Sequence, residues 1–341
     1  MRPVRALALV APADPSAPPG ETLLLGLPLV RRTALAAKRA GFDSVLVSGA
    51  TAEIRRALAG APAECLASGA PVPAEARTLS WNVVLRTEDL KRLASGDPGV
   101  GLGVALHAPE DFERAESLLL SALLKDTEGF MSRHFERKLS LAISRRLART
   151  RVTPNVMTFV SIAVGLIAAP FFLSSRPLWQ TIGACFFLLH SILDGCDGEL
   201  ARLKFRESRF GGVLDFWGDN VVHSAIFGAI AVGWSLAIGA GWPLVLGALA
   251  IGGTLASAGL VYQETMTGPK EGPLFTSVAP LDTRLARVAD ALSRRDFIYV
   301  VLALSLFGKA NWFLAISAIG TPAFFLLLAA LSRRRAERKT T

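Results

Sequence analysis

Between residues 153 and 332 the chain carries long runs without a charged side chain, and no other feature limits its folding as much. Hydrocarbon offers the backbone no hydrogen bonds, so such runs are expected to be helices that satisfy their own amides. A spanning helix takes about 20 mostly apolar residues. Six segments qualify: about 155–175, 178–198, 213–236, 241–263, 297–310 extended slightly upstream, and 312–332, the fifth being the weakest. The composition agrees, because 51% hydrophobic against 19% charged residues over 341 positions is too apolar for an ordinary soluble protein. The formal net charge of +9 comes from Lys and Arg clustered beside the apolar runs, which favours a membrane over nucleic acid as the partner.

The connections set an orientation. One group is strongly basic: the stretch before 153, the loop with Arg202, Lys204, Arg206 and Arg209, the loop with Arg284, Arg287, Arg294 and Arg295, and the tail from Arg333 to Lys339. The opposite group holds only Arg176, a Gly-rich turn near 239–242, and Lys309. Lys and Arg concentrate on the cytoplasmic side, so both termini are expected there, in a multi-pass protein of the inner membrane.

Residues 1–125 have ordinary globular density. Arg5 to Ala11 and Asp43 to Val47 read as short buried strands, with a helix from Leu29 to Ala40 ending at Gly41 and a further helix over Ala108 to Lys125. The Pro- and Ala-rich tract from Ala11 to Gly20 is a loop, and the whole reads as a small cytoplasmic α/β domain. Met1 to Pro19 lacks the apolar core of a signal peptide. Cys65, Cys185 and Cys196 have no paired spacing, so neither disulfides nor a zinc site is expected. Residues 126–152 form a basic amphipathic juxtamembrane helix: Phe135, Leu139, Ile143 and Leu147 recur at helical spacing among arginines, a pattern suited to an anionic leaflet. The six-helix domain then occupies 153–333, and 334–341 is a basic tail.

Acidic residues inside spanning segments are costly, and four occur here: Asp194 and Asp197, three apart, and Asp215 and Asp219, four apart. Each spacing puts both carboxylates on one helix face, and both pairs flank the same basic loop. Facing carboxylates repel unless cations lie between them, and all-oxygen ligation suits two Mg²⁺ or Mn²⁺ ions. Gly195, Gly198, Ala201, Gly211 and Gly212 surround the acids, where small residues admit a ligand or a helix. Arg202 is suited to grip a phosphate with two donors. His190 and His223 lie near the acids and read as packed residues, outside the site.

The segment DGCDGELARLKFRESRFGGVLDFWGD, Asp194 to Asp219, closely resembles the CDP-alcohol phosphotransferase signature D-x-x-D-G-x-x-A-R-x8-G-x3-D-x3-D, with every position filled. The resemblance implies that Asp194, Asp197, Asp215 and Asp219 hold two divalent metals and that Asp219 is also the general base. It implies a nucleotide pocket of Asp194, Gly198, Ala201, Arg202 and Gly211, a donor such as CDP-diacylglycerol, and a homodimer through the membrane half. The implied reaction is attack of an acceptor hydroxyl on the β-phosphorus with release of CMP, a step of phospholipid biosynthesis. The acceptor stays open among inositol phosphate, glycerol phosphate, inositol, serine and other lipid alcohols. Lys204, Arg206, Arg209, Arg294 and Arg295 are candidates for binding an acceptor phosphate, although topology alone predicts basic residues there.

Residues Leu25 to Leu29 and Ala40 to Val47 look like part of a sugar-nucleotidyltransferase domain, and the junction Phe130 to Leu147 is similar to that of bifunctional inositol-phosphate cytidylyltransferase/phospho-inositol-phosphate synthases. An active cytidylyltransferase would carry a Gly-rich loop with a basic residue after its first strand. Ala11 to Gly20 has one glycine and no Lys or Arg, so a degenerate, non-catalytic domain is expected. The alternatives are a bifunctional enzyme that makes its own CDP-alcohol and a membrane scaffold without activity.

Overall fold

The computed structural model describes residues 6–97, 103–124, 135–266 and 297–340. The chain divides into two compact units, one formed by 1–124, 141–152 and 199–206, the other by 125–140, 153–198 and 207–341.

The first unit is α/β. Its strands are β1 (Ala6–Val10), β2 (Leu23–Leu24), β3 (Leu27–Pro28), β4 (Ser44–Val47), β5 (Glu64–Cys65), β6 (Arg77–Ser80), β7 (Val83–Val84) and β8 (Val104–Ala105). Its helices are α1 (Leu29–Ala40), α2 (Ala52–Ala57), α3 (Thr87–Ala94) and α4 (Pro109–Ser121). The main sheet is parallel in the order β5-β4-β1-β6, with Leu7 opposite Val45 on one side and Arg77 on the other. Leu7, Ala8 and Leu9 are fully buried, because a central parallel strand is covered on both faces and reads as an unbroken apolar run. Helix α1 ends where the sequence predicts, at Gly41, whose φ of 101° is open to glycine at no steric cost. Strands β6 and β7 are separated by Trp81 and Asn82.

Three buried polar groups knit this unit together. Arg32 of α1 donates to the carbonyls of Leu24 at 2.9 Å and Leu203 at 3.1 Å, and burial pushes its guanidinium down to about 10. Glu116 of α4, 4% exposed, accepts from Arg145 at 2.6 Å and Arg149 at 2.8 Å. Lys204 donates to the carbonyls of Leu147, Thr150 and Val152 at 3.4, 2.8 and 2.8 Å.

Helix α5 spans Arg137–Ala148. The apolar residues Phe135 and Leu139 beside and within it are exposed, whereas Glu136, Ser140, Ser144 and Ala148 form the buried stripe. Of the four apolar residues expected to meet lipid, Phe135 and Leu139 are uncovered while Ile143 and Leu147 are partly covered, and the basic residues Arg145 and Arg149 of the same stretch are held by Glu116.

The second unit is helical: α6 (Pro154–Ala168) continued by a 3₁₀ turn (Ala169–Leu173), α7 (Pro177–Lys204), α8 (Arg209–Ile238), α9 (Trp242–Met266), α10 (Phe297–Leu306) and α11 (Ala310–Thr340). Thr153 and Ser208 cap α6 and α8, accepting from the amides of Val156 and Gly211. Among the described residues, four stretches are long and apolar enough to cross a membrane: Pro154–Leu173, Arg209–Ile238, Trp242–Glu264 and Ala310–Arg333. Two of the six expected spans are not among them. Helix α7 is long enough at 28 residues, but its length is shared with Gln180, His190 and the charged run from Asp194 to Lys204. Helix α10 has only ten described residues, and its expected upstream extension lies outside the described residues. The helical core joins Phe172, Phe187, Val222, Ile226, Ile230, Val301, Phe313 and Leu314.

Candidate active site

Helices α7 and α8 carry the four aspartates at their facing ends, two per helix. Asp194, Asp197 and Asp215 each offer a carboxylate oxygen within 4.8 Å of the others, and Asp215 also feels the charge of Asp219. Asp194 and Asp197 are 5% and 6% exposed, so little water is present to screen this cluster. Thr158 of α6 donates its hydroxyl to Asp197 and thereby fixes that carboxylate. Oδ1 of Asp215 is buried and has no hydrogen-bond donor among the described residues. A buried carboxylate oxygen without a donor, beside three other acids, is destabilised unless a cation meets it. The donor set is all oxygen, which suits Mg²⁺ or Mn²⁺ and disfavours soft metals, so these residues fit such an ion.

Asp219 has a neighbour that the sequence reading set aside. His190, one turn before Asp194 on α7 and 2% exposed, places Nε2 at 3.5 Å from Asp219 Oδ1. Its Nδ1 lies 2.8 Å from the Ser161 carbonyl, which only accepts, so Nδ1 carries a proton. With the ring anchored this way Nε2 faces the acid, and it can donate to Asp219 only when the ring carries both protons. The 190/194/197 spacing on one helix was the available signal; a solitary histidine among apolar residues concealed it.

The small residues have particular neighbours. A Cβ on Gly211 would lie 2.9 Å from Asn155 Oδ1 and 3.1 Å from Ser208 Oγ, so glycine lets both close on the start of α8. A Cβ on Gly195 would lie 3.2 Å from Arg137 Nη1, and that glycine serves helix packing. Gly198, Ala201 and Arg202 occupy the last two turns of α7. Among the basic candidates, Lys204 has its three donors directed at carbonyls, Arg206 and Arg209 are exposed, and Arg294 and Arg295 lie outside the described residues.

Paired acids on adjoining apolar helices, all oxygen donors and partly buried, form an acidic cluster that could hold a divalent cation in a membrane-type helical unit. Residues 151–328 match the model of the CDP-alcohol phosphatidyltransferase family, and the chain belongs to that family. Among its relatives are two proteins named bifunctional IPC transferase and DIPP synthase. The one from Thermococcus kodakarensis is 40% identical over 133 residues, 38% of this chain and 30% of that protein. The one from Rubrobacter xylanophilus is 35% identical over 190 residues, 52% and 41% of the two chains. The matches thus span well under half of these relatives' own length. A phosphatidylinositol phosphate synthase of Mycobacteroides abscessus is 30% identical over 111 residues, 31% of this chain and 49% of that one. The Mycobacterium tuberculosis phosphatidylinositol phosphate synthase, crystallised with CDP-DAG bound, superposes with a TM-score of 0.39 at 19% identity, covering 55% of this chain and 92% of that one.

Proposed function

We propose that this chain is a membrane phosphotransferase that moves a phosphatidyl-type group from CDP-diacylglycerol to an acceptor alcohol and releases CMP. The observation that carries the proposal is the cluster of Asp194, Asp197 and Asp215 oxygens within 4.8 Å, inside the stretch that matches the family. Asp194, Asp197, Asp215 and Asp219 would hold two divalent ions. Ions held there would supply positive charge to offset that of the pyrophosphate and of the departing CMP. Arg202, Gly198, Ala201 and Gly211 bind and orient the nucleotide. Asp219 accepts the acceptor hydroxyl's proton as the new O–P bond forms and the bond from the β-phosphorus to CMP breaks. His190, when its ring carries both protons, would hold Asp219 from behind through Nε2–H.

The finer architecture follows this reading: six spans including α7 and α10, both termini and the site cytoplasmic, and a homodimer through the membrane half. The acceptor we favour is an inositol phosphate, on the names of relatives such as the Mycobacteroides protein. Arg206, Arg209, Arg294 and Arg295 are left to meet its phosphate. Residues 1–125 form a non-catalytic nucleotidyltransferase-like domain, 126–152 the juxtamembrane helix, 153–333 the catalytic domain and 334–341 the basic tail. The names of the bifunctional relatives raise a second activity, synthesis of the CDP-alcohol. The loop after β1 argues against it, since it presents Asp14, which binds Ser16, and no basic residue toward a triphosphate.

The test is CMP release by the purified full chain in detergent with Mg²⁺, CDP-diacylglycerol and a panel of acceptors. Release that depends on one acceptor and is lost in Asp219→Asn supports the proposal. Release without acceptor dependence, or undiminished in that variant, refutes it.

A further inference from the structure

At the opposite end of the same helices lies a polar cavity of about 330 Å³. Gln180 is in the first turn of α7, fourteen residues before Asp194, and Trp234 is nineteen residues after Asp215 on α8. At about 1.5 Å per residue these intervals set the cavity some 20–30 Å from the aspartates, close to the thickness of a hydrocarbon core. Its polar lining consists of Ser175, Gln180, Trp234, Lys309 and Asn311, with no acidic residue.

Gln180 is the informative member. It is 5% exposed, and its Oε1 accepts the amide of Ala310, the first residue of α11. Its amide nitrogen has no partner among the described residues, and neither do Lys309 Nζ, Asn311 Nδ2 or Trp234 Nε1. A lysine and a tryptophan at a helix end are ordinary interface anchors. A buried glutamine lining a cavity is not, because with its oxygen engaged it offers a fixed amide donor to whatever fills that space. The start of α11 adds the positive end of a helix dipole. Donors without acidic company call for an anionic oxygen ligand. The remaining wall is apolar, with Phe172, Ile230 and Phe307, and Phe307 itself is 73% exposed at the rim.

We infer that this cavity binds the phosphate headgroup of an anionic phospholipid, with its acyl chain lying along Phe307, in the leaflet opposite the aspartate site. The volume suits a glycerophosphate headgroup, and a cavity of roughly 300 Å³ is within the range of real ligand sites. A free phosphate ion shares the donor chemistry but leaves the apolar wall unused.

The experiment uses the full chain in detergent and follows its thermal unfolding with added dioctanoyl phosphatidylglycerol, dioctanoylglycerol or inorganic phosphate. The expected result is a rise in Tm with phosphatidylglycerol alone. Lys309→Ala and Asn311→Ala, both in a connection or first turn where folding tolerates them, should each weaken the apparent affinity about tenfold. Asp219→Asn should leave it unchanged, which separates this site from the aspartates. An equal rise with dioctanoylglycerol or with inorganic phosphate overturns the inference, as does an affinity for phosphatidylglycerol that is the same in both lining variants as in the parent protein.

Discussion

Replacing Lys204 by Met separates two roles for a basic residue beside the site. If its ammonium served an acceptor phosphate, the substitution would raise the acceptor KM and leave stability alone. Instead, Nζ donates at 2.8 Å to both the Thr150 and Val152 carbonyls, with a longer contact of 3.4 Å to Leu147, and the residue is 9% exposed. A hydrogen bond from a charged donor is worth about 1.5–3 kcal/mol. Two good bonds at the low end give about 3 kcal/mol. For a domain of 150–250 residues each kcal/mol moves Tm by about 2–4 °C, so Lys204→Met should lower Tm by about 6–12 °C. Exposed arginines set the reference: Arg206→Met should move Tm by no more than about 2 °C, since surface substitutions stay within roughly 0.5 kcal/mol. The assay is thermal unfolding of the purified chain, paired with CMP-release kinetics at a temperature where both variants are folded. An unchanged Tm together with a raised acceptor KM would refute the clamp role.

Other perturbations act elsewhere. His190→Gln keeps the ring's volume nearly intact but removes the imidazole aimed at Asp219; kcat should fall at least tenfold with little change in donor KM, and a change confined to KM would contradict a positioning role. Removing divalent ions with EDTA should abolish CMP release, and Mg²⁺ or Mn²⁺ but not Ca²⁺-free buffer alone should restore it; release that persists in EDTA would count against the metal reading. Gly195→Leu forces a side chain into the space of Arg137 Nη1, 3.2 Å from the Cβ position, and should cost about 1–3 kcal/mol of stability, read as a lower Tm than that of Gly195→Ala. Asp111 accepts from the amides of Ala108 and His107, which hold its carboxyl below the ordinary 3.8. Its folded value is depressed, so its support for α4 is present above that pH and is lost as pH falls through the folded value; the Tm difference between the parent protein and Asp111→Asn should shrink on acidification from pH 6 to about pH 3.

The parts legible in the sequence were those written in local patterns. Helix α1, its stop at Gly41, the strands β1 and β4, and the four aspartates at helical spacing each follow from a period or a turn residue. What escaped depends on side chains brought together from distant positions. Glu116 and Arg149 are 33 residues apart, and Lys204 reaches carbonyls more than 50 residues upstream. No local pattern distinguishes such an arginine or lysine from one placed by membrane topology. His190 escaped because its partner Asp219 is on another helix, and α7 falls short of a plain apolar span because polar and charged residues replace part of its apolar surface.

The proposed function rests on four aspartates of α7 and α8 holding two divalent ions. The most direct measurement is a Mn²⁺ titration of the purified chain followed by electron paramagnetic resonance, beside Asp215→Asn. The account predicts two bound Mn²⁺ per chain with spin coupling between them, and loss of that coupled signal in Asp215→Asn. Binding of no Mn²⁺ by folded protein, or a coupled pair that survives Asp215→Asn unchanged, would contradict it.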